Sequence, residues 1–362
     1  MKFLKFALPL SLAVALVAAP PATTGMTTGK ANLKSAGPLA FGPDGVLFIG
    51  DSLGAQIIAL DTGDTKASAG ASVNIAGVDA KIAAALGTMP DQIAIRDIAV
   101  NPTSHNVYIS VSRGKGADAM AVLLKLDAAG KLSEVNLDNV KYAAAALPNA
   151  ASSGGGTAKG NQRMDSITEV RYMSGKVLVA GLSNEEFQSN MRSIPFPFEA
   201  AAADKGANIE MYHGSHGRYE TNSPVRTFVP YTINNQQYIL AAYTCTPLVK
   251  IPVSELKGGA KVKGTTIAEF GAGNVPLDMI AYNKGGKPFI LMANNRHGVL
   301  KVDAAHLDTY KSITAPTDIT GVPFEHVDAW QGVQHLQLYD NNNALVLSSN
   351  NGVSDLKTIA LP

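Results

Sequence analysis

The densest group of chemically capable residues in the chain lies between Tyr212 and Thr221. His213-x-x-His216, with Glu220 four residues on, puts two imidazoles and a carboxylate in one short segment. The glycines at 214 and 217 let the backbone fold until those side chains converge. Imidazole suits zinc, copper, iron and nickel. The order differs from the His-Glu-x-x-His of zinc proteases. A glycine-rich surface loop with hydrogen-bonding histidines is the plainer alternative.

Cys245, the single cysteine, follows an apolar stretch ending at Ala241-Ala242-Tyr243-Thr244. Buried and inert is the common fate of such a thiol. As a thiolate it ligates soft metals such as copper beside imidazoles, or serves as a nucleophile with a nearby histidine. His297 follows Asn294-Asn295-Arg296, and Asn350-Asn351 repeats the asparagine pair; such amides stabilise tight turns or present oxygens to a ligand. Glu185 and Glu186 are adjacent carboxylates able to bind a metal or act as acid and base, with Arg192 as a candidate ion-pair partner. His326 and His335 flank the only tryptophan, Trp330, which suits a ligand pocket or a seal between the last blade and the first. The ligand set expected is His213, His216, Glu220, Cys245 and His297, with Asp97, Asp278, His335, Tyr243 and Arg226 as further candidates. Copper is the favoured metal; zinc, iron and calcium are the alternatives.

The elements that must position these groups form a repeat. Six segments each show a short alternating strand, a polar turn, a second and more apolar strand and usually a third. Their first strands start at Leu39, Ile98, Ile167, Phe228, Met279 and Leu336, 51–69 residues apart. That exceeds the usual ~40–50 residues of a propeller unit and leaves room for inserted loops. Radial repetition removes long exposed edges. The fold expected is therefore all-β, a propeller of six blades, each a four-stranded antiparallel sheet around a central channel. A seventh blade, built from Ile75 to Leu86 or from the termini, and a pair of β-sandwiches are the competing architectures. Lys81–Leu86 reads as one or two helical turns, Ser189–Phe196 as a third strand, and residues 151–159 as a flexible loop.

In such a blade the innermost strand starts at one face, and the turn between the second and third strands returns to it. The residues just before the innermost strands are Pro38, Asp97, Ser166, Thr227, Asp278 and His335, and the returning turns hold Asp51, Arg113, Glu185, Cys245, His297 and Asn350. A polar ring at one mouth of the channel follows.

The unit at Gly37-Pro38-Leu39-Ala40-Phe41-Gly42-Pro43-Asp44-Gly45, with Leu60-Asp61, and again at Val299–Asp303, resembles the six-bladed propellers of the NHL and SMP-30 (gluconolactonase-like) superfamily. The resemblance implies that fold over most of the chain, and gluconolactonase-like members carry a metal-binding glutamate just before the first Gly-Pro. Ala36 holds that place here, and no counterpart of their Asn-Gly metal and substrate motifs is present.

Lys2 and Lys5 precede an apolar run from Phe6 to Ala18, then Ala19-Pro20-Pro21-Ala22. This is the layout of a cleaved secretory signal over 1–22, cut after Ala19 or Ala22, leaving one propeller domain over 23–362 in the periplasm or outside the cell. The net charge of +1, with both signs interspersed, gives no footprint for nucleic acid or a membrane surface. One cysteine excludes an intrachain disulfide. No Cys-x-x-Cys-His, phosphate-cradling glycine loop or Gly-x-Ser-x-Gly elbow occurs, which argues against attached haem, nucleotide chemistry and serine hydrolysis. Three functions fit: transition-metal binding at the channel mouth for metal handling or redox chemistry; metal-assisted hydrolysis or lactonase action by Asp97, Asp278 and a histidine around a calcium- or zinc-bound water; and a metal-free scaffold for a small molecule, peptide, sugar or another exported protein.

Overall fold

The computed structural model describes residues 21–153, 162–199 and 202–362. Residues 1–20 of the expected signal, and most of the glycine-rich loop expected at 151–159, lie outside the described residues. No described helix is long and apolar enough to cross a membrane. The fold is an all-β propeller of six blades.

Blades are numbered by their innermost strands, which are Leu39–Phe41, Ile93–Val100, Glu169–Met173, Thr227–Ile233, Pro276–Lys284 and Val333–Leu338. Each starts at one face, here the entry face, and is followed outward by antiparallel neighbours. The turn between second and third strands returns to the entry face in every blade, as the repeat predicts. Ser189–Pro195 is the third strand of blade 3. Of the Ile75–Leu86 stretch, a candidate for a seventh blade, Ile75 instead belongs to the strand Asn74–Ile75, which is the outermost strand of blade 6. Val78–Ala85 forms an α-helix that starts three residues before the expected turns and packs on the sheet of blade 6.

Ring order departs from chain order. Blade 1 lies between blades 2 and 3, and blade 2 lies between blades 1 and 6. The chain lays down the three inner strands of blade 1, crosses to Asn74–Ile75 on blade 6, and builds blade 2. It then returns to add Val140–Ala146 to blade 1 before proceeding through blades 3 to 6. Blades 1 and 6 are thus each completed by a strand from a distant part of the chain, which fastens the ring without a disulfide.

Six apolar layers fill the gaps between neighbouring blades. Strands alternate, and both faces are covered, so the runs are apolar throughout. In blade 3, Val177 and Val179 pack toward blade 1 while Leu178 and Ala180 pack toward blade 4. In blade 1, Ile57 and Ala59 face blade 3, and Ile58 and Leu60 face blade 2. Each fully buried aliphatic or phenyl side chain contributes about 1.5–3 kcal/mol. Trp330 packs with Ile280, Leu291, Leu336 and Val346, so it seals blade 5 against blade 6 rather than the last blade against the first.

Candidate functional site

Two polar clusters occupy the entry face, one in the channel and one between blades 3 and 4. The channel cluster is built on backbone irregularities. The innermost strands of blades 2, 5 and 6 begin earlier than the sequence suggests, and a register shift falls between Ile95 and Asp97, Pro276 and Asp278, and Val333 and His335. Bulges re-aim side chains, and these bring Asp97, Asp278 and His335 together, with one potential ligand atom of each within 4.8 Å of the others. His335 Nδ1 lies 3.3 Å from Asp97 Oδ1 and 3.7 Å from Asp278 Oδ2. Arg171 adds a guanidinium, 2.9 Å from Glu169 and 3.0 Å from Asp278.

The carboxylates also stitch blades. Asp97 accepts the N–H of Ile98 and, across to blade 1, that of Leu39 (2.7 Å). Asp278 accepts from Met279 and, across to blade 6, from Leu336 (2.8 Å). Glu169 accepts from Val170 and, across to blade 4, from the Thr227 hydroxyl (3.0 Å). Burial raises Glu169 above the usual carboxylate range, against the pull of Arg171. Burial opposes charge on His335, but its hydrogen bonds to Asp278 and Asp97 outweigh that and push it up to about 10. Arg171 and a charged His335 therefore neutralise this cluster from within, and the carboxylates proposed for a hydrolase already have backbone, guanidinium and imidazole partners.

Glu169 and Arg171 escaped the sequence reading, which started the strand at Ile167. The signal was present: Glu169-Val170 repeats the acid-then-apolar step of Asp97-Ile98 and Asp278-Met279. Ser166 is buried just outside the strand.

The second cluster gathers His213, His216 and Cys245. The fourth strand of blade 3, Ala207–His213, runs into a single 3-10 turn at Gly214–His216 and doubles back as Arg218–Glu220, with Met211 opposite Glu220 and His213 opposite Arg218. Gly217 takes φ 65°, the left-handed region that glycine enters freely. At Gly214 a Cβ would lie 2.8 Å from Glu269 Oε1, so only glycine lets the turn sit this low. The parallel strand Lys261–Lys263 and a hydrogen bond from Thr266 to the Tyr212 carbonyl (2.6 Å) fix the hairpin.

Glu220 reaches both imidazoles. Its Oε2 is 3.0 Å from His213 Nδ1 and its Oε1 is 2.7 Å from His216 Nδ1. The hydrogen bond from His213, with others from His216 and Ser223, holds the carboxyl far below its ordinary range despite desolvation. Both Nδ1 atoms are thereby occupied, and both Nε2 atoms remain. That of His216 lies 3.9 Å from Cys245 Sγ. That of His213, in a residue only 1% exposed, has no hydrogen-bond partner. His213, His216 and Cys245 each offer a ligand atom within 4.8 Å of the other two.

Cys245 is supplied by the turn between the second and third strands of blade 4. Cys245 and Thr246 take φ 62° and 56° in succession, a region that costs a side chain about 1–3 kcal/mol. Neighbouring loops hold it there: Cys245 N–H donates to the Asn274 carbonyl (2.6 Å), and the Thr246 hydroxyl to that of Gly271 (2.9 Å). The buried Asn274 side chain in turn accepts the N–H groups of Arg296 and His297 and donates to Asn294 (2.8 Å). The asparagines thus build turns. Beneath the hairpin, Glu269 Oε1 accepts the Gly214 N–H (2.5 Å), its Oε2 is buried without a partner, and burial pushes its pKa up to about 8.

Other expected ligands stand elsewhere. Glu220 contacts the far side of both rings and is an orienting group, not part of the three-residue ligand cluster. His297 lies against Gly271 and Asn274, outside that cluster. Tyr243 is fully buried in the apolar layer between blades 3 and 4. Arg226 pairs with Asp165 at 3.1 Å and touches Thr244. Glu186 pairs with Lys261, Glu185 with Asn149, and neither meets Arg192, which is buried against Asn149 and the Asp204 carbonyl. His326 bonds to the His297 carbonyl.

No family model and no curated protein matches the sequence. Among solved structures, the chain is similar to a glucose dehydrogenase, at 12% identity and a TM-score of 0.39 over 93% of this chain and 100% of that one. It is also similar to the PQQ-bound aldose sugar dehydrogenase of Streptomyces coelicolor, at 12% identity and 0.33 over 94% and 99%. A streptogramin B lyase matches at 10% identity and 0.28, over 93% and 97%. The fold rests on the strand pairings above, and no neighbour's activity transfers.

Proposed function

We propose that this propeller binds a thiophilic transition-metal ion at the entry face, between blades 3 and 4. The ligands are Cys245 Sγ, His213 Nε2 and His216 Nε2, with Glu220 holding both rings from behind. The observation that carries this reading is the buried, unpartnered Nε2 of His213. A buried ring nitrogen without a partner costs about 1–3 kcal/mol, and a metal ion satisfies it. A carboxylate on the outer nitrogen of a ligating histidine is the usual support for such a site. One thiolate and two imidazoles suit copper first and zinc second. His216 is 41% exposed at its side chain, which leaves one side open to an incoming ion or a fourth ligand. With the secretory layout of the N-terminus, the role is metal handling or redox chemistry outside the cytoplasm.

Elemental analysis after loading the purified chain with copper or zinc tests this. One equivalent is expected in the wild type, and none in His213→Ala or Cys245→Ser. No bound metal in the wild type, or metal retained in both variants, overturns it.

The line Cys245 Sγ, His216 Nε2 and Glu220 Oε1 favours a second reading, a thiol nucleophile with an oriented base. The rate of iodoacetamide alkylation separates the two. In the second reading Cys245 reacts fast near neutral pH, and chelators leave the rate unchanged. In the first, bound metal protects the thiol until a chelator removes it.

A further inference from the structure

The two faces of the propeller differ in composition. Eight large hydrophobic residues are exposed among the described residues, and seven of them belong to the entry face. Met89 leads into the innermost strand of blade 2, and Met120 opens its third strand opposite Arg113. Leu53 and Val353 sit in the returning turns of blades 1 and 6. Met164 precedes the innermost strand of blade 3; Tyr219 and Ile319 stand where the outer strands of blades 3 and 4 reach this face. Leu338 alone ends a strand at the opposite face.

Arginine follows the same division. Arg171 and Arg192 are held inside. The other six, Arg96, Arg113, Arg163, Arg218, Arg226 and Arg296, all lie at the entry face. Lysines stand at both faces: Lys115 is in the returning turn of blade 2 and Lys263 lies over Tyr219, while Lys131, Lys176, Lys284 and Lys287 are in turns of the opposite face. Protein interfaces are enriched in methionine, arginine and aromatic residues. Methionine adapts its shape to a partner. Arg218 and Arg226 are paired with Glu220 and Asp165. Arg96, Arg113 and Arg296 have no ion-pair or hydrogen-bond partner for their guanidinium groups among the described residues.

We propose that the entry face is a protein-docking surface, and that its occupant is a protein surface carrying carboxylates around an apolar centre. Unpaired guanidinium groups on the same face as exposed methionine, leucine and valine, with Arg113 directly opposite Met120, match that chemistry: carboxylates take the forked donors, and apolar side chains cover the thioethers. This holds whether or not the His213–Cys245 cluster binds a metal.

A glutamate–tyrosine copolymer serves as the probe, with polyglutamate and polylysine as controls, in titrations followed by calorimetry. The wild type is expected to bind the copolymer more tightly than polyglutamate and not to bind polylysine. Arg96→Gln/Arg113→Gln/Arg296→Gln and Met89→Ser/Met120→Ser are each expected to weaken binding about ten-fold, or about 1.4 kcal/mol, with Leu338→Ser unchanged. The arginine variant should also lose most of the salt dependence. Equal binding by wild type and both multiple variants, or no binding by the wild type, overturns the proposal. So does sedimentation showing a wild-type dimer that the methionine variant abolishes, which assigns the face to a second copy of this chain.

Discussion

Arg171 of blade 3 grips Asp278 of blade 5 across the channel, Nη2 to Oδ1 at 3.0 Å, past the intervening blade 4. The same guanidinium binds Glu169 of its own blade, so one side chain balances carboxylates from two non-adjacent blades. Arg171→Met leaves Glu169 buried without its cation and Asp278 with His335 alone. Breaking a buried pair from one side costs about 3–5 kcal/mol, and a loss of that size is expected in denaturant unfolding at pH 7. A loss below about 1 kcal/mol would mean that the guanidinium holds nothing together.

His335 gives the channel a pH signature. Its folded pKa, about 10, lies above the ordinary 6.5, because Asp278 and Asp97 favour the charged ring more than burial disfavours it. A group raised in the folded state stabilises fully below its unfolded pKa and loses that contribution as pH rises toward the folded one. Stability should therefore decline from about pH 6.5 to about pH 10. In His335→Gln the part of this decline due to His335 should disappear. Parallel melting curves for wild type and variant across that range, with a constant difference in Tm, would remove His335 as the cause.

The blades were legible because each strand is sandwiched between two apolar layers and bounded by turn residues, as at Val177–Leu182 and Leu39–Phe41. The histidine pair and Cys245 were legible by type and by the turns that return them to one face. Ring order was not, because it depends on where Val140–Ala146 and Asn74–Ile75 pair, and neither carries a sign of its partner. Glu169 was displaced by three residues through an alternating stretch at Ile167. Glu220 read as a ligand because spacing along a loop does not tell which side of an imidazole a carboxylate will meet; the hairpin that opposes Met211 and Glu220 decides that. Tyr243 was assigned by parity along its strand, but both faces of that strand are interior.

Glu220 orients both rings, so its loss should weaken metal binding without removing a ligand. Glu220→Gln keeps the shape but replaces one acceptor oxygen with a donor and removes the charge that favours Nε2 as the metal-binding atom. Loss of such an outer partner typically lowers metal affinity about 10–100-fold. Competition with a chromophoric chelator should read a drop of that size in Glu220→Gln, with one metal still bound per chain at saturation. An unchanged affinity would leave Glu220 as a hairpin fastener only.

The backbone at Cys245 separates function from stability. A side chain at φ 62° is strained, and glycine is not. Strain of about 1–3 kcal/mol is relieved in Cys245→Gly, offset by about 0.4–1 kcal/mol of added freedom in the unfolded chain. Cys245→Ala keeps the strain and loses the thiol. The glycine variant is therefore expected to melt at or above the wild type and above the alanine variant, while both lose the metal. Thermal unfolding of metal-free samples checks this, since bound metal would stabilise the wild type alone. If alanine proves as stable as glycine, the turn is not held in the left-handed region, and strain has no part in how Cys245 is presented to His213 and His216.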